Sequence, residues 1–455
     1  MTSQKLPDGL LLAYYGDDYT GSTDAMEAMT AAGVPTILFL QIPTMDDLSH
    51  FPKIRCVGLA GLSRGRDPIW MDKELPKAFE ALAGLGAPVL QYKICSTFDS
   101  SPQLGSIGKA IDIGTRIVGG NWSPCIVGAP RLNRFQLFGN LFAAINGIGY
   151  RLDRHPTMAR HPVTPMNEAD LREHLSQQTK KEIELINMLQ LKSGVSHSLV
   201  QKLQSDFNPS VVLIDILDDE TLANAGELVW ENRGQGIFTA SSSGLEYALT
   251  TYWHKKSLLP KPTPLPKTKP TDVIAAVSGS CSPVTAAQIS WAKRNGFFVE
   301  RLNLTLVFEE KNRDREIKRL VRLAVQAAKM GQSSVIFSAE GPDDPCVTGF
   351  NELASNAGLD KNIAARLIGA ALADVMNGIL DQTNIRRIAI AGGDSAGEVA
   401  STLEIQALTI VSSLTPGSPL CRAWSKKLTR DGMEVVLKGG QMGSENFFGM
   451  VRDGD

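Results

Sequence analysis

LLLAYYGDDYTGSTDAMEAMTAAGVPTILFLQI, residues 10–42, is the stretch that decides the fold of the first part of this chain. Its apolar run at 10–16 is typical of a buried strand, and residues 36–42 predict a second strand of the same kind. The pattern of residues 22–33, between these strands, predicts a helix that ends before Pro35. Because a strand–helix–strand unit joins parallel strands, the stretch predicts a parallel sheet with a helix packed against it.

Apolar runs bounded by turn residues recur in both halves of the chain. They predict further strands at 54–61, 87–94, 123–130, 210–217, 273–279, 333–339, 385–393 and 434–440. Residues 167–189 open with an Asn cap, carry acids early and lysines later, and predict one amphipathic helix. The predicted fold class is α/β in both halves.

A proline-rich stretch at 254–272 marks the clearest boundary, with five prolines placed mostly at every second position. Such a run lacks backbone donors and favours extended polyproline geometry, which is typical of a semi-rigid linker. We therefore predict one domain at 1–255, a linker at 256–270 and a second domain at 271–455.

Composition and charge exclude several classes of protein. The 455 residues are 43% hydrophobic and 21% charged, which is typical of a soluble globular chain of two domains. A net charge of −2 without a basic stripe argues against a nucleic-acid partner. The six cysteines include no C-x-x-C pair, so we expect reduced thiols in the cytoplasm and no zinc site. The sequence shows no secretion signal and no membrane-spanning run.

Two adjacent carboxylates, Asp17 and Asp18, follow the first predicted strand. Ligands of open α/β sheets bind at the carboxyl edge of the strands, and buried carboxylates need a partner. Asp17 or Asp18 could therefore bind sugar hydroxyls or accept a proton from one. The alternative is that Asp18 or Thr20 only caps the next helix.

A denser polar stretch, KICSTFDSS, follows the strand at 87–94. Strand register would place Lys93, Cys95 and Thr97 on one face, where Lys93 offers a cation to an acid group. Cys95 is more typical of a packed thiol than of a nucleophile. The alternative to a binding site in this stretch is an exposed loop with an Asx turn at Asp99. After another strand, Arg64 could clamp a carboxylate.

Turns rich in small residues follow three strands of the second half, at 277–283, 392–397 and 438–443. Small residues allow a phosphate chain to approach the backbone closely, and helix N-termini supply N–H donors. Ser282 followed by Pro283 predicts a helix start. Asp394 is a possible partner for Mg²⁺. Neither the Walker A pattern nor G-x-G-x-x-G at a strand–helix junction is present, which weakens a dinucleotide hypothesis.

These motifs, in this order, resemble the four-carbon acid sugar kinase family. The shared elements are D-D-x-T-G at 17–21, K-x-C-S-T-F-D-S at 93–100, x-P-x-T-P-M at 161–166, G-S-C-S at 279–282, G-G-[DE]-[ST]-[SA]-G at 392–397 and K-x-G-x-x-G-[SA]-E-x-F-F at 438–448. The resemblance implies an N-terminal sugar-binding domain and a C-terminal nucleotide-binding domain. The implied reaction is phosphorylation of a four-carbon acid sugar by ATP at the 4-hydroxyl, with D-threonate, D-erythronate or a 3-oxo-tetronate as substrate.

The resemblance also implies site residues. Those around the acid sugar are Asp17, Asp18, Arg64, Lys93, Ser96, Thr97 and Asp99. Those around ATP are Ser278, Gly279, Ser280, Ser282, Gly392, Gly393, Asp394, Ser395, Lys438, Gly439 and Gly440. The chain departs from the family pattern around 61–66, at Gly16 and Ala396, and in the last loop, which leaves the identity of the acid open.

For the mechanism we expect closure of the two domains to bring the γ-phosphate to the sugar hydroxyl, with Mg²⁺ spreading the charge. Asp18, ahead of Asp17, would orient or deprotonate the hydroxyl, and Lys93 or Arg64 would bind the substrate carboxylate. The alternatives are an NAD(P)-dependent dehydrogenase of a small hydroxy acid and a non-catalytic acid-sugar-binding protein. A homodimer is the default expectation.

Overall fold

The computed structural model describes residues 5–145, 147–160, 164–203, 209–262 and 264–454, without the side chains of Leu203 and Asp394. The chain forms two compact units, Met1–Pro264 and Leu265–Asp455. Both units are built from strands and helices in alternation, so the predicted α/β class is confirmed. The described residues between 256 and 274 contain neither helix nor strand.

The main sheet of the first unit is parallel and has the order β11-β4-β1-β3-β2. The strands of the first unit are β1 (Leu12–Gly16), β2 (Thr36–Phe39), β3 (Cys56–Ala60), β4 (Val89–Lys93), β5 (Trp122–Cys125), β6 (Arg134–Leu137), β7 (Asn140–Ile145), β8 (Ile148–Arg151), β9 (Ile183–Ile186), β10 (Ser210–Ile214) and β11 (Ile237–Ser241). Gly16 pairs with Ala60 and Lys93, and Lys93 pairs with Ser241. Four strands therefore end at one edge, and the loops that follow them lie together.

Helices cover this sheet and connect its strands. They are α1 (Tyr19–Ala31), α2 (Met45–Ser49), α3 (Pro68–Ala83), α4 (Ile107–Val118), α5 (Leu171–Ser176), α6 (Met188–Ser193), α7 (Ser196–Leu203), α8 (Asp219–Glu231) and α9 (Gly244–Lys255). In α1 every side chain from Ser22 to Met29 is buried, so this helix lies inside the unit rather than on its surface.

Two smaller sheets complete the first unit. A parallel sheet has the order β5-β10-β9, and an antiparallel one has the order β6-β7-β8. The buried Asp215 carboxylate, which follows β10, accepts hydrogen bonds from the N–H groups of Phe138 (2.5 Å) and Gly139 (3.0 Å). This bond ties the β6–β7 turn to the parallel sheet.

The single helix predicted for residues 167–189 is wrong. The structure has α5, then the strand β9, then the start of α6 in this stretch. Helix α5 ends at Ser176, and two residues later the Gln178 side chain accepts a hydrogen bond from the N–H of Ile107 at the start of α4 (2.8 Å). Ile183 to Ile186 then pair with β10. Tertiary hydrogen bonding and sheet pairing override the helical pattern of charges here.

The second unit has a sheet of order β16-β17-β18-β15-β12-β14-β13. Its strands are β12 (Ala275–Ser278), β13 (Phe298–Arg301), β14 (Ser334–Phe337), β15 (Arg387–Ala391), β16 (Ile405–Thr415), β17 (Ser418–Ser425) and β18 (Glu434–Lys438). The pairs from β18 to β13 are parallel, and β16, β17 and β18 are antiparallel. The predicted strands are present, but the β16–β17 hairpin was not foreseen.

The helices of the second unit connect these strands. They are α10 (Pro283–Arg294), α11 (Leu304–Phe308), α12 (Glu310–Lys329), α13 (Pro345–Thr348), α14 (Phe350–Asn356), α15 (Lys361–Asp381), α16 (Gly393–Thr402) and α17 (Phe447–Asp453). Helix α15 is long and apolar enough to cross a membrane by length and composition alone. It packs against α12, α16 and β12, which is the environment of a core helix.

Gly114 of α4 lies against the Phe238 ring of β11, and a Cβ atom at this position would sit 2.0 Å from that ring. We expect Gly114→Ala to lower the free energy of unfolding of the first unit by roughly 1–3 kcal/mol, because the ring must move to admit the methyl group. Urea titration measures this change. Gly149→Ala is the control, since nothing lies within 4 Å of its added Cβ atom; equal midpoints for the two variants would contradict the expectation.

Candidate active site

Loops from three neighbouring strands are tied together at the carboxyl edge of the first unit. The N–H of Asp17, after β1, donates to the carbonyl of Lys93 at the end of β4 (2.9 Å). The N–H of Arg64, after β3, donates to the carbonyl of Asp17 (3.1 Å). These bonds fix the backbone around Asp17 and hold the side chains of Asp17, Asp18, Arg64 and Lys93 in one cluster.

The Arg64 guanidinium contacts both carboxylates of the aspartate pair. Its Nε and Nη2 donate to Asp17 at 3.0 and 2.7 Å, and its Nη1 and Nη2 each donate to Asp18 at 2.9 Å. Burial raises the pKa of Asp17 against the opposing effect of Arg64. Burial also acts on Asp18, but Arg64, the Thr20 hydroxyl and Lys93 together hold the pKa of Asp18 below its usual value. In this pair, Asp17 is therefore a deeply buried carboxyl group, and Asp18 is a well-stabilised carboxylate.

Asp18 also caps α1, which was the alternative role that the sequence analysis gave it. Its carboxylate accepts from the N–H of Gly21 (2.8 Å) and from the hydroxyl of Thr20 (2.7 Å). Capping does not remove Asp18 from the cluster, because the same carboxylate also contacts Arg64. The side chain of Asp18 is 14% exposed and that of Asp17 3%, so Asp18 is the more accessible of the two.

Lys93 lies under this pair, with only 2% of its surface exposed. Its Nζ donates to the carbonyl of Ile94 (3.1 Å) and lies 3.5 Å from the Asp24 carboxylate of α1. Burial opposes the charge of Lys93, but Asp24, Glu246 and Asp17 raise its pKa. The positive charge of Lys93 is therefore balanced by carboxylates inside the protein.

The sequence analysis did not identify two buried acids near Lys93, which are Asp24 and Glu246. Glu246, on the first turn of α9, is fully buried, and burial raises its pKa to about 7. One carboxyl oxygen of each residue has no hydrogen-bond partner within the described part of the chain. The available signal was an acid inside a helix whose neighbouring positions are apolar and buried.

The predicted strand register beyond Lys93 is wrong. Strand β4 ends at Lys93, and the N–H of Phe98 donates back to the carbonyl of Cys95 (3.0 Å) in a turn with Phe98 at φ 58°. The Cys95 thiol lies 2.9 Å from the Thr97 hydroxyl. Burial, with a contribution from Asp99, raises the pKa of Cys95 to about 11, as expected for a packed thiol.

The other residues predicted around the acid sugar lie in this same turn and loop. Thr97 is buried, while Ser96 and Asp99 are half-buried. The Asp99 oxygen Oδ1 has no hydrogen-bond partner among the described residues, which leaves it available to a ligand hydroxyl. The structure thus places Ser96, Thr97 and Asp99 on the loop that directly follows Lys93.

In the second unit, three loops follow the neighbouring strands β12, β15 and β18. Ser278, Ala391 and Lys438 pair across these strands, so the strands end together. The N–H of Gly279 donates to the carbonyl of Ala391, and that of Gly392 to the carbonyl of Lys438, each at 2.9 Å. These bonds bring together the predicted nucleotide residues, from Ser278 to Ser282, from Gly392 to Ser395 and from Lys438 to Gly440.

Glycine is required where these loops touch. A Cβ atom on Gly279 would lie 2.0 Å from the hydroxyl oxygen of Ser395, and one on Gly440 would lie 2.9 Å from that of Ser280. Gly392 has a φ of 117°, which L side chains rarely adopt. The structure confirms Ser282 as the cap of α10, with Pro283 at the first helical position.

Lys438 is fully buried behind these loops. Its Nζ donates to the hydroxyl of Thr285 (3.0 Å) and to the carbonyls of Gly439 (2.9 Å), Met442 (3.2 Å) and Gly440 (3.3 Å). Burial lowers the pKa of Lys438 to about 7. The Lys438 amine therefore organises the loop through neutral partners only.

A magnesium site made by protein side chains alone does not fit the described residues, which contain no group of three or more His, Cys, Asp or Glu able to hold a metal. The Asp394 side chain lies outside the described part of the structure. Mg²⁺ commonly keeps waters and is held by one or two carboxylates with substrate phosphates. The protein would therefore contribute few ligands.

Comparisons with known proteins match both units. A model of a sugar-binding N-terminal domain matches residues 12–249, and one of a nucleotide-binding C-terminal domain matches residues 275–448. A 3-oxo-isoapionate kinase of Paraburkholderia graminis is 62% identical over 448 residues, covering 98% of this chain and 95% of the relative. A 3-oxo-tetronate kinase of Cupriavidus necator is 25% identical over 453 residues, covering 98% of each chain.

The chain therefore belongs to the four-carbon acid sugar kinase family and is an ATP-dependent acid sugar kinase. We set aside the dehydrogenase and the non-catalytic alternatives. Solved structures agree on the fold. A Salmonella typhimurium protein provisionally called a tRNA synthase has a TM-score of 0.76 at 21% identity, covering 96% of this chain and 97% of that one. A Haemophilus influenzae protein has a TM-score of 0.70 at 21% identity, covering 96% and 98%.

Glu246 makes the stability of the first unit depend on pH. Its folded-state pKa of about 7 lies above the ordinary 4.5, so between these values the folded state keeps a proton that the unfolded state loses. Stability therefore falls as pH rises through this window. We expect Glu246→Gln to remove this fall and to gain roughly 1–3 kcal/mol over wild type between pH 5 and pH 8, measured by urea titration.

The exposed Glu80 supplies the control for that experiment, since Glu80→Gln removes a carboxylate that already faces water. This variant should follow the wild-type curve. A Glu246→Gln curve with the wild-type slope would show that the buried carboxyl does not titrate in this range.

Proposed function

We propose that this kinase transfers the γ-phosphate of ATP to the terminal 4-hydroxyl of a 3-oxo acid sugar of the 3-oxo-isoapionate or 3-oxo-tetronate kind. The observation that carries the chemistry is the aspartate pair held by Arg64 at the carboxyl edge of the first unit. The identity of 62% to a 3-oxo-isoapionate kinase, against 25% to a 3-oxo-tetronate kinase, supports 3-oxo-isoapionate as the first candidate.

Asp18 is our candidate for the residue that orients the hydroxyl and accepts its proton. Phosphoryl transfer depends mainly on positioning and charge stabilisation, so a weakly basic carboxylate is sufficient. The lowered pKa of Asp18 keeps it ionised at neutral pH, and it is more accessible than Asp17. Arg64 would hold both carboxylates in place, and Asp99 would accept from another hydroxyl of the sugar.

The loops of the second unit would hold the phosphates of ATP. Gly392, the N-cap of α16, has no side chain to accept from the first N–H groups of that helix, which suits them to an anion. Ser280, Ser282 and Ser395 would add hydroxyls, and Lys438 would add a positive charge beneath the loop. Mg²⁺, with Asp394 as a candidate ligand, would neutralise charge on the transferred phosphoryl group.

The location and assembly of the enzyme also remain proposals. The cysteines are all free, and the relatives are bacterial metabolic enzymes, which supports the cytoplasm. The homodimer stays a prediction.

The direct test is a kinase assay of the purified protein with ATP and Mg²⁺ against 3-oxo-isoapionate, 3-oxo-tetronate, D-threonate and D-erythronate, with phosphorus NMR to locate the new ester. We expect a 4-phosphate and the highest kcat/KM with a 3-oxo acid. Turnover of D-threonate or D-erythronate alone would reject the 3-oxo class, and a phosphate on another carbon would reject the position.

Asp18→Asn tests the role of the aspartate. Asn caps helices as well as Asp does, so the start of α1 should remain intact. We expect kcat to fall by roughly 100-fold or more while ATP binding is kept, because the amide cannot accept the hydroxyl proton. Asp72→Asn, which removes a surface carboxylate paired with Lys109, is the matched control. A kcat near the wild-type value for Asp18→Asn would eliminate Asp18 as the base.

Lys438 should couple ATP binding to proton uptake. With a pKa of about 7 it is mostly neutral at pH 8 in the free protein, and a bound triphosphate would raise that pKa. Calorimetry at pH 8 in buffers of different ionisation enthalpy should therefore report uptake of about one proton per ATP. Lys438→Arg keeps a permanent charge and should bind ATP without uptake. Equal uptake by both proteins would assign the proton to another group.

A further inference from the structure

The two cations first assigned to the substrate carboxylate are already engaged inside the site. Arg64 makes four hydrogen bonds to Asp17 and Asp18. Lys93 is buried beside Asp24 and donates to a backbone carbonyl. A substrate carboxylate placed on either cation would compete with an internal carboxylate, so a cation that is not paired with an internal carboxylate suits an acid sugar better.

Arg134, the first residue of β6, offers such a cation. Its Nη1 corner is fixed by the carbonyls of Leu132 (3.0 Å), Asn133 (3.2 Å) and Ala144 (3.5 Å). Its Nε is buried without a hydrogen-bond partner among the described residues, and none of these residues accepts from Nη2. The Nε/Nη2 edge, which matches the two oxygens of a carboxylate, is therefore free and pre-oriented.

His155 presents a second donor close to Arg134. It is 4% exposed, and its Nδ1 accepts from the N–H groups of Thr157 and Met158, both at 3.2 Å. Because Nδ1 uses its lone pair in these bonds, the proton lies on Nε2. Nε2 is buried and has no partner in the described part of the chain. Burial and the nearby charge of Arg134 lower the pKa of His155, which keeps the ring neutral.

The loop after β4 connects these groups to the aspartate pair. The Cys95 side chain lies within electrostatic range of both guanidinium groups, that of Arg64 and that of Arg134. Asp99, whose Oδ1 is buried and unpartnered among the described residues, interacts with Arg134 in the same way. An acid sugar carries its carboxylate and its terminal hydroxyl at opposite ends, and this loop interacts both with Arg64, which holds the aspartate pair, and with Arg134.

We propose that the Nε/Nη2 edge of Arg134, assisted by the Nε2–H of His155, binds the carboxylate of the acid sugar and so sets the preference of the enzyme for acids over neutral sugars. This inference rests on the proposed function, since it places the 4-hydroxyl at Asp18. It reassigns the role first given to Arg64 and Lys93, and it gives a partner to two buried atoms, Nε of Arg134 and Nε2 of His155, that have none among the described residues.

The test compares 3-oxo-tetronate with erythrulose, the neutral four-carbon ketose in which CH2OH replaces the carboxylate. For Arg134→Met we expect the kcat/KM preference for the acid to fall by roughly 100- to 1000-fold, and calorimetry should show weaker binding of the acid. Arg134→Lys keeps the charge without the planar fork and should lie between this variant and wild type. His155→Phe should raise the KM for the acid by roughly 10-fold, whereas His155→Gln, which keeps a donor, should restore it.

Arg154→Met is the matched control, because it removes an exposed arginine close in sequence to His155. ATP binding and thermal unfolding of each variant report on folding independently of the acid. Wild-type affinity for 3-oxo-tetronate in Arg134→Met, or equal losses for acid and ketose, would overturn the assignment. A wild-type protein that binds 3-oxo-tetronate or 3-oxo-isoapionate through Arg134 and phosphorylates neither would overturn the proposed function and leave this site standing, and one that binds neither acid would overturn both.

Discussion

The arrangement of the first unit depends on one guanidinium between two adjacent carboxylates. Asp17 and Asp18 would repel each other in a buried setting, and Arg64 offsets this repulsion with four charge-assisted hydrogen bonds. Because the three residues come from loops after β1 and β3, their pairing also joins two strands of the sheet. The position of Asp18 is fixed a second time by its role as the cap of α1. Such double constraint is what preorganisation would require of Asp18 in its proposed role.

The second unit has a different arrangement, which would let a polyanion approach backbone N–H donors. Its three loops touch at glycines that have no room for a Cβ atom, and the buried ammonium of Lys438 holds one loop through neutral acceptors. No described carboxylate is paired with Lys438. A positive charge without an internal counter-charge favours an anionic ligand, whereas the charges of the first-unit cluster are largely balanced internally.

The role proposed for Arg134 would give the first unit two chemical tasks on two different sheets. The aspartate pair suits hydroxyl chemistry, and an arginine held by three backbone carbonyls suits recognition of a planar carboxylate. The antiparallel strands β6 to β8 that carry Arg134 lie outside the main parallel sheet and are anchored through Asp215. A recognition element carried on a separate sheet in this way could change without disturbing the residues proposed for catalysis.

The sequence by itself determined the α/β class, most strands, the glycine-rich turns and the position of Asp17 and Asp18 at a strand end, because apolar runs and turn residues are local signals. It did not reveal that residues 183–186 form a strand, since that depends on pairing with β10. Nor did it show that the chain turns after Lys93, or that Arg64 and Lys93 are already paired. Only the tertiary structure decided which charges neutralise one another and which, like Arg134, have no carboxylate paired with them in the described part of the chain, because partners for buried charges come from segments distant in sequence.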